Sequence, residues 1–125
     1  MKRIVSIFFI VLFVSTLSTC HKTKIPKDIP KWLKEKIKKM DKEGGRSGFN
    51  KTCKMLGSCR EVQEYTDGSS TFYYVDESGS TPRSFSVYNY NGDFQCEYSD
   101  IAHGACFDRF NYNVMTFVRL VWIEG

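Results

Sequence analysis

Two periodicities divide the chain. Residues 4–17 are almost wholly apolar, with only Ser6, Ser15 and Thr16 interrupting Ile, Val, Phe and Leu. At 1.5 Å per helical residue this run reaches roughly 21 Å, short of the ~30 Å hydrocarbon core of a bilayer. Behind the basic pair Lys2 and Arg3 it reads as the core of a signal peptide and not as a membrane span. A polar, Lys-rich stretch follows. Then Ile29, Trp32, Leu33, Ile37 and Met40 recur at helical spacing, with Lys31, Lys34, Lys38, Lys39 and Lys42 on the other faces. Asp28 is placed to cap the free N–H groups, Pro30 suits the first turn, and Gly44-Gly45 is the expected stop.

From residue 60 onward the pattern is that of strands. Residues 60–66, 71–75, 84–90, 94–98 and 115–123 are rich in β-branched and aromatic side chains and are bounded by turn residues. Asp67-Gly68 is a turn, and Asn91-Gly92 is the strongest hairpin signal in the chain. Residues 77–82 form a Ser/Gly/Pro loop, and a second loop is expected between Cys96 and Cys106. The last strand is the longest and most apolar, which predicts a central position, with Arg119 turned to solvent or to a carboxylate. The expected class is α+β. One N-terminal amphipathic helix packs on a four- to five-stranded antiparallel sheet with meander connections.

Composition narrows the setting. With 42% hydrophobic and 15% aromatic residues, the 125-residue chain has too much core material for disorder and room for one domain. The expected organisation is a signal peptide over 1–19, a tether over 20–28 and a single α+β domain over 29–125. The net charge of +4 conceals a split, because residues 21–54 sum to +8 and residues 55–125 to −6. A solvated Lys face accounts for the basic part, and contact with anionic lipid headgroups is the functional counterpart. Nucleic acid is not an expected partner, since the body is acidic and the chain is exported.

The apolar run ends at Leu17-Ser18-Thr19-Cys20. This resembles the lipobox of bacterial lipoproteins: an aliphatic residue, two small residues, then Cys. The resemblance implies cleavage before Cys20, acylation of Cys20 and anchoring in the bilayer. Thr19 departs from the usual Gly, Ala or Ser. The alternative is an ordinary secretory signal. Setting Cys20 aside leaves Cys53, Cys59, Cys96 and Cys106, an even set suited to two disulfides in an oxidising compartment. Four cysteines allow three pairings. Proximity in sequence favours Cys53–Cys59 and Cys96–Cys106. Zinc is disfavoured, because the chain has no Cys-x-x-Cys and only two histidines, and no cofactor is expected.

Catalytic motifs are missing: there is no nucleophile elbow, zinc-protease helix, P-loop or dinucleotide fingerprint. His103, with Ser99, Asp100 and Asp108 near it in sequence, is the one candidate general base, and it supports only a minor reading as a small hydrolase. The chain is expected not to be an enzyme. Seven tyrosines point instead to binding, should several share the outer face of the sheet. Pro26 to Leu33, Tyr88 to Cys96 and the second cysteine at Cys106 together resemble a family of small Bacteroidota-type lipoproteins of unknown function. That resemblance implies no activity. The anchor and the tyrosines make the expected role an accessory or binding module of the cell envelope, at the outer membrane, with an envelope protein or a glycan as partner. The alternative is a secreted, inhibitor-like protein that binds another protein.

Overall fold

Alternation of side chains across a strand presents two faces, and both are used here. The computed structural model describes residues 25–46, 59–79, 83–99, 101 and 104–124. Its five strands are β1 (Glu61–Thr66), β2 (Thr71–Val75), β3 (Ser84–Asn89), β4 (Phe94–Ser99) and β5 (Thr116–Ile123). They form one antiparallel sheet in the order β4-β3-β2-β1-β5. Helix α1 (Lys31–Arg46) precedes the sheet, and a short helix α2 (Ala105–Phe110) lies between β4 and β5. The class is therefore α+β, with two helices.

Strand β2 shows the division most clearly. Tyr73 and Val75 point to one face, Phe72 and Tyr74 to the other, and all four are buried. On the first face the stripe Ile29, Leu33, Ile37 and Met40 of the α1 segment packs with Val62, Tyr73, Val75, Val121 and Trp122. Ile25, Trp32 and Tyr88 flank this cluster. On the second face Phe110 and Met115 cover Tyr65, Phe72, Tyr74, Phe85, Val87 and Tyr98. The Cys96–Cys106 disulfide ties α2 to β4 on that side.

The structure corrects four expectations. First, Asp28 does not cap α1, because Arg119 Nη1 on β5 donates to its carboxylate at 3.0 Å. The first turn is closed instead by Leu33 and Lys34 N–H groups donating to the Pro30 carbonyl. Second, α1 runs through Gly44-Gly45 to Arg46. Arg60 Nη2 donates to the Met40 carbonyl at 2.7 Å and so engages the last part of the helix from the sheet side. Third, the stretch after β4 is not all loop, since α2 forms within it. Fourth, β5 is an edge strand, not a central one, and Phe117, Val118 and Leu120 stay exposed on it. The four preceding strands form a complete meander, so a fifth can join only at an end. It joins β1 after the chain has carried α2 across the sheet.

Two register shifts in the β1–β5 ladder, at Val62/Gln63 and Glu64/Tyr65, insert Val121 and Val118 as extra residues on β5. Bulges of this kind bend an edge strand and re-aim its side chains. Here they let both Val121 and Trp122 join the α1-side cluster.

Candidate functional site

Antiparallel meanders place alternate turns at the same end of the sheet. The β1–β2 turn and the β3–β4 turn therefore lie side by side. Each is fixed by its own side chains. In the first, the Asp67 carboxylate accepts from Ser69 N at 2.9 Å, Ser70 N at 2.7 Å and Ser69 Oγ at 3.1 Å. These backbone N–H groups of Ser69 and Ser70 hold the Asp67 carboxyl below its ordinary value. Gly68 takes φ +98°, a conformation that suits glycine. In the second turn the Asn89 amide is used twice. Its Oδ1 accepts from Asp93 N at 2.9 Å and its Nδ2 donates to the Asp93 carboxylate at 3.1 Å.

Helix α1 positions this second turn from behind. Trp32 Nε1 donates to the Tyr90 carbonyl at 2.8 Å. The indole lies so close to Gly92 that a Cβ there would meet Trp32 Cδ2 at 2.9 Å, and Gly92 also has φ +89°. The Asn91-Gly92 hairpin signal thus serves two purposes. Glycine satisfies the turn conformation, and its missing side chain admits the tryptophan.

Between the two turns opens a cleft of about 520 Å³ lined by Ser69, Ser70, Thr71, Phe72, Asn89, Tyr90, Asn91, Gln95 and Arg109. Its volume is in the range of about 300–1,000 Å³ usual for small-ligand sites. The lining differs from the apolar norm for such sites. Hydroxyls and amides dominate, with the exposed Tyr90 and the buried Phe72 as aromatic residues and Arg109 as the one charged side chain among the described residues. The Arg109 guanidinium comes from α2. It sits 5.0 Å from the Phe110 ring centroid and 6.0 Å from that of Phe72. It makes no ion pair among the described residues. Such a lining can bind and orient a polar ligand; among the described residues it holds neither a thiol nor an imidazole.

The tyrosines do not form an outer binding face. Tyr65, Tyr73, Tyr74 and Tyr98 are buried, because α1 covers one side of the sheet and α2 the other. Tyr74 donates its hydroxyl to the Phe110 carbonyl at 2.6 Å. Burial pushes the phenols of Tyr73 and Tyr74 well above their ordinary value. Only Tyr90 and Tyr112 are exposed among the described residues, and Tyr90 belongs to the cleft.

Other residues singled out in the sequence are distributed as follows. Cys96 and Cys106 are joined. Cys59 is buried and disulfide-bonded, while Cys53 lies outside the described residues. Cys20 and His103 also lie outside them. Arg119 meets carboxylates: it donates to Glu64 at 3.2 Å and to Asp28 at 3.0 Å. Among the described residues no cluster of His, Cys, Asp or Glu could hold a metal ion. No helix there is long and apolar enough to cross a membrane.

Sequence reasoning did not find the cleft. Its two turns were legible, and their adjacency follows from the parity of a meander. Arg109 carried no signal, because it reaches the cleft only through the packing of α2 on Phe72. Compared with protein-family models, with curated proteins and with solved structures, the chain matches none.

Proposed function

We propose that this chain is a lipoprotein of the bacterial cell envelope, anchored through acylated Cys20, whose folded domain is a non-enzymatic binding module. The N-terminal pattern supports the anchor: a basic start, an apolar run too short to span, and Leu17-Ser18-Thr19-Cys20 directly after it. The observation that carries the binding role is the cleft between the two hairpin turns. Its hydroxyls, amides and guanidinium are hydrogen-bonding groups suited to a polar ligand. The ligand is a polar molecule of the envelope, and a glycan fits this lining better than an apolar compound does.

One observation favours a second reading, a secreted inhibitor-like protein that binds another protein. Strand β5 leaves Phe117 at 52% and Leu120 at 45% exposure on an open sheet edge, and open edges pair readily with other chains.

Intact mass separates the two. The chain is expressed with its own leader and measured with and without reduction and alkylation. Loss of residues 1–19 together with acyl mass on Cys20, and four thiols released only by reductant, is the expected result. A soluble, unacylated product with Cys20 alkylated before reduction overturns the anchor and puts the secreted reading first.

A further inference from the structure

We infer that the cleft between the β1–β2 and β3–β4 turns takes a carboxylate-bearing oligosaccharide, with Arg109 gripping the carboxylate. This rests on the binding-module reading and names its ligand class. Three features of the lining carry it.

The first is charge. Among the described residues Arg109 is the sole charged one of the lining. The neighbouring acids are already engaged in their own turns. Asp67 accepts from Ser69 and Ser70 through Oδ1, and the Asp93 carboxylate accepts from Asn89. Asp108 beside Arg109 is exposed and outside the lining. A guanidinium offers a planar fork matched to a carboxylate. The Phe110 and Phe72 rings, with centroids 5.0 and 6.0 Å from the guanidinium carbon, favour the cation at this place.

The second is the hydrogen-bonding complement. Ser70, Thr71 and Asn91 have side chains uncommitted among the described residues, and Gln95 uses only its Nε2, which donates to the Asp93 carbonyl. Hydroxyls and carboxamides each donate and accept, which matches neighbouring sugar hydroxyls that also do both. A purely anionic small molecule would leave these groups unused.

The third is ring surface. Tyr90, in the lining, is 53% exposed. A pyranose presents polar edges and an apolar C–H face, so polar walls with an aromatic ring suit it. The open form of the site, between two hairpin turns, suits a chain of sugars that continues into solvent.

The test is a titration of the isotopically labelled mature domain, carrying Ser in place of Cys20 (Cys20→Ser), followed by amide resonances. The probes are trigalacturonate, the neutral trisaccharide maltotriose, and acetate. Trigalacturonate is expected to shift resonances of residues 69–72, 89–91, 95 and 109, and to bind more weakly as salt is raised. Arg109→Gln is expected to weaken it about ten- to hundredfold, the range for losing a charge-assisted hydrogen bond. Arg109→Lys retains the charge without the fork and should fall between. Lys38→Gln, on the exposed face of α1, should leave affinity unchanged. Maltotriose binding as tightly as trigalacturonate, with no loss in Arg109→Gln, overturns the acidic assignment while leaving a glycan-binding module. Acetate reproducing the shifts at equal affinity reduces the site to a simple anion site and overturns the oligosaccharide. No shift at the cleft with any probe overturns the inference outright, and the intact-mass result then judges the anchored-lipoprotein reading separately.

Discussion

The two faces of the sheet are covered by different means. On one, a 16-residue helix lays Leu33, Ile37 and Met40, with Ile29 just before it, over Val62, Val75 and Val121. Charged and polar ties surround that contact: Asp28 with Arg119, Lys36 with Glu77, Arg60 with the Met40 carbonyl, and Trp32 with the Tyr90 carbonyl. On the other, a helix of six residues covers an aromatic layer, held by a disulfide and by the Tyr74 hydroxyl. Length explains the contrast. A helix of four turns offers enough apolar area to dock by burial. A helix of under two turns cannot, so it is fastened covalently and by one short hydrogen bond. The cleft sits where the two systems meet. Its β3–β4 turn is braced by α1 through Trp32, and its cation is delivered by α2.

The comparison can be broken most severely on the α1 face. Leu33 is fully buried, and Leu33→Ala should cost about 3 kcal/mol, within the usual 2–5 for such a cavity. Chemical denaturation is the measurement; a loss under about 1 kcal/mol would mean that α1 is not held by burial. The next effect belongs to the other face. Reduction of Cys96–Cys106, a closure of ten residues, should cost about 2–3 kcal/mol on the chain-entropy estimate. A Cys96→Ser, Cys106→Ser protein isolates this bond from the one at Cys59. Amide exchange in α2 should rise in it while α1 stays protected, and equal loss on both faces would contradict separate fastening.

Tyr74→Phe is a smaller probe of the α2 face. It leaves the buried Phe110 carbonyl without its donor, so about 1–2 kcal/mol is expected. The weakest effect distinguishes the faces by pH. The Arg119 guanidinium holds the Asp28 carboxyl below its ordinary 3.8. This tie therefore stabilises above 3.8 and is lost as pH falls through the lowered value. Burial raises the Asp76 carboxyl, so its protonation, above 3.8, acts in the opposite direction. Asp67 is lowered like Asp28, so an Asp67→Asn, Asp76→Asn background leaves the Asp28 loss to be read by itself. Amide exchange at the start of α1 should then increase below about pH 4, whereas α2, fastened by neutral groups, should not respond. A parallel response in both helices would refute the distinction between ionic and covalent ties.

Much of the fold was legible. The stripe from Ile29 to Met40 and the five β-rich runs were read from local pattern, because side-chain period follows from backbone geometry. The misreadings share one cause. The apolar run of β5 predicts burial on both faces, yet Phe117 and Leu120 face solvent. Asp28, standing before a helix, predicts a cap, but Arg119, 91 residues away in sequence, claims its carboxylate. The tyrosines allow an outer-face reading, but α1 covers Tyr73 and α2 covers Tyr74 and Tyr98.

The sequence by itself determined the apolar stripe of α1, the five strands and the two tight turns, since these depend on neighbours a few residues apart; α2 and the run of α1 through Gly44-Gly45 were not in its local pattern. Its N-terminal pattern also carries the proposal of export and acylation. The tertiary structure alone decided which strand lies at the edge, that both faces of the sheet are buried, and that Arg109 stands in a cleft with Asn91 and Gln95. These outcomes depend on contacts between residues far apart in the chain. Such contacts are chosen by burial of whole faces against one another, which no local period records.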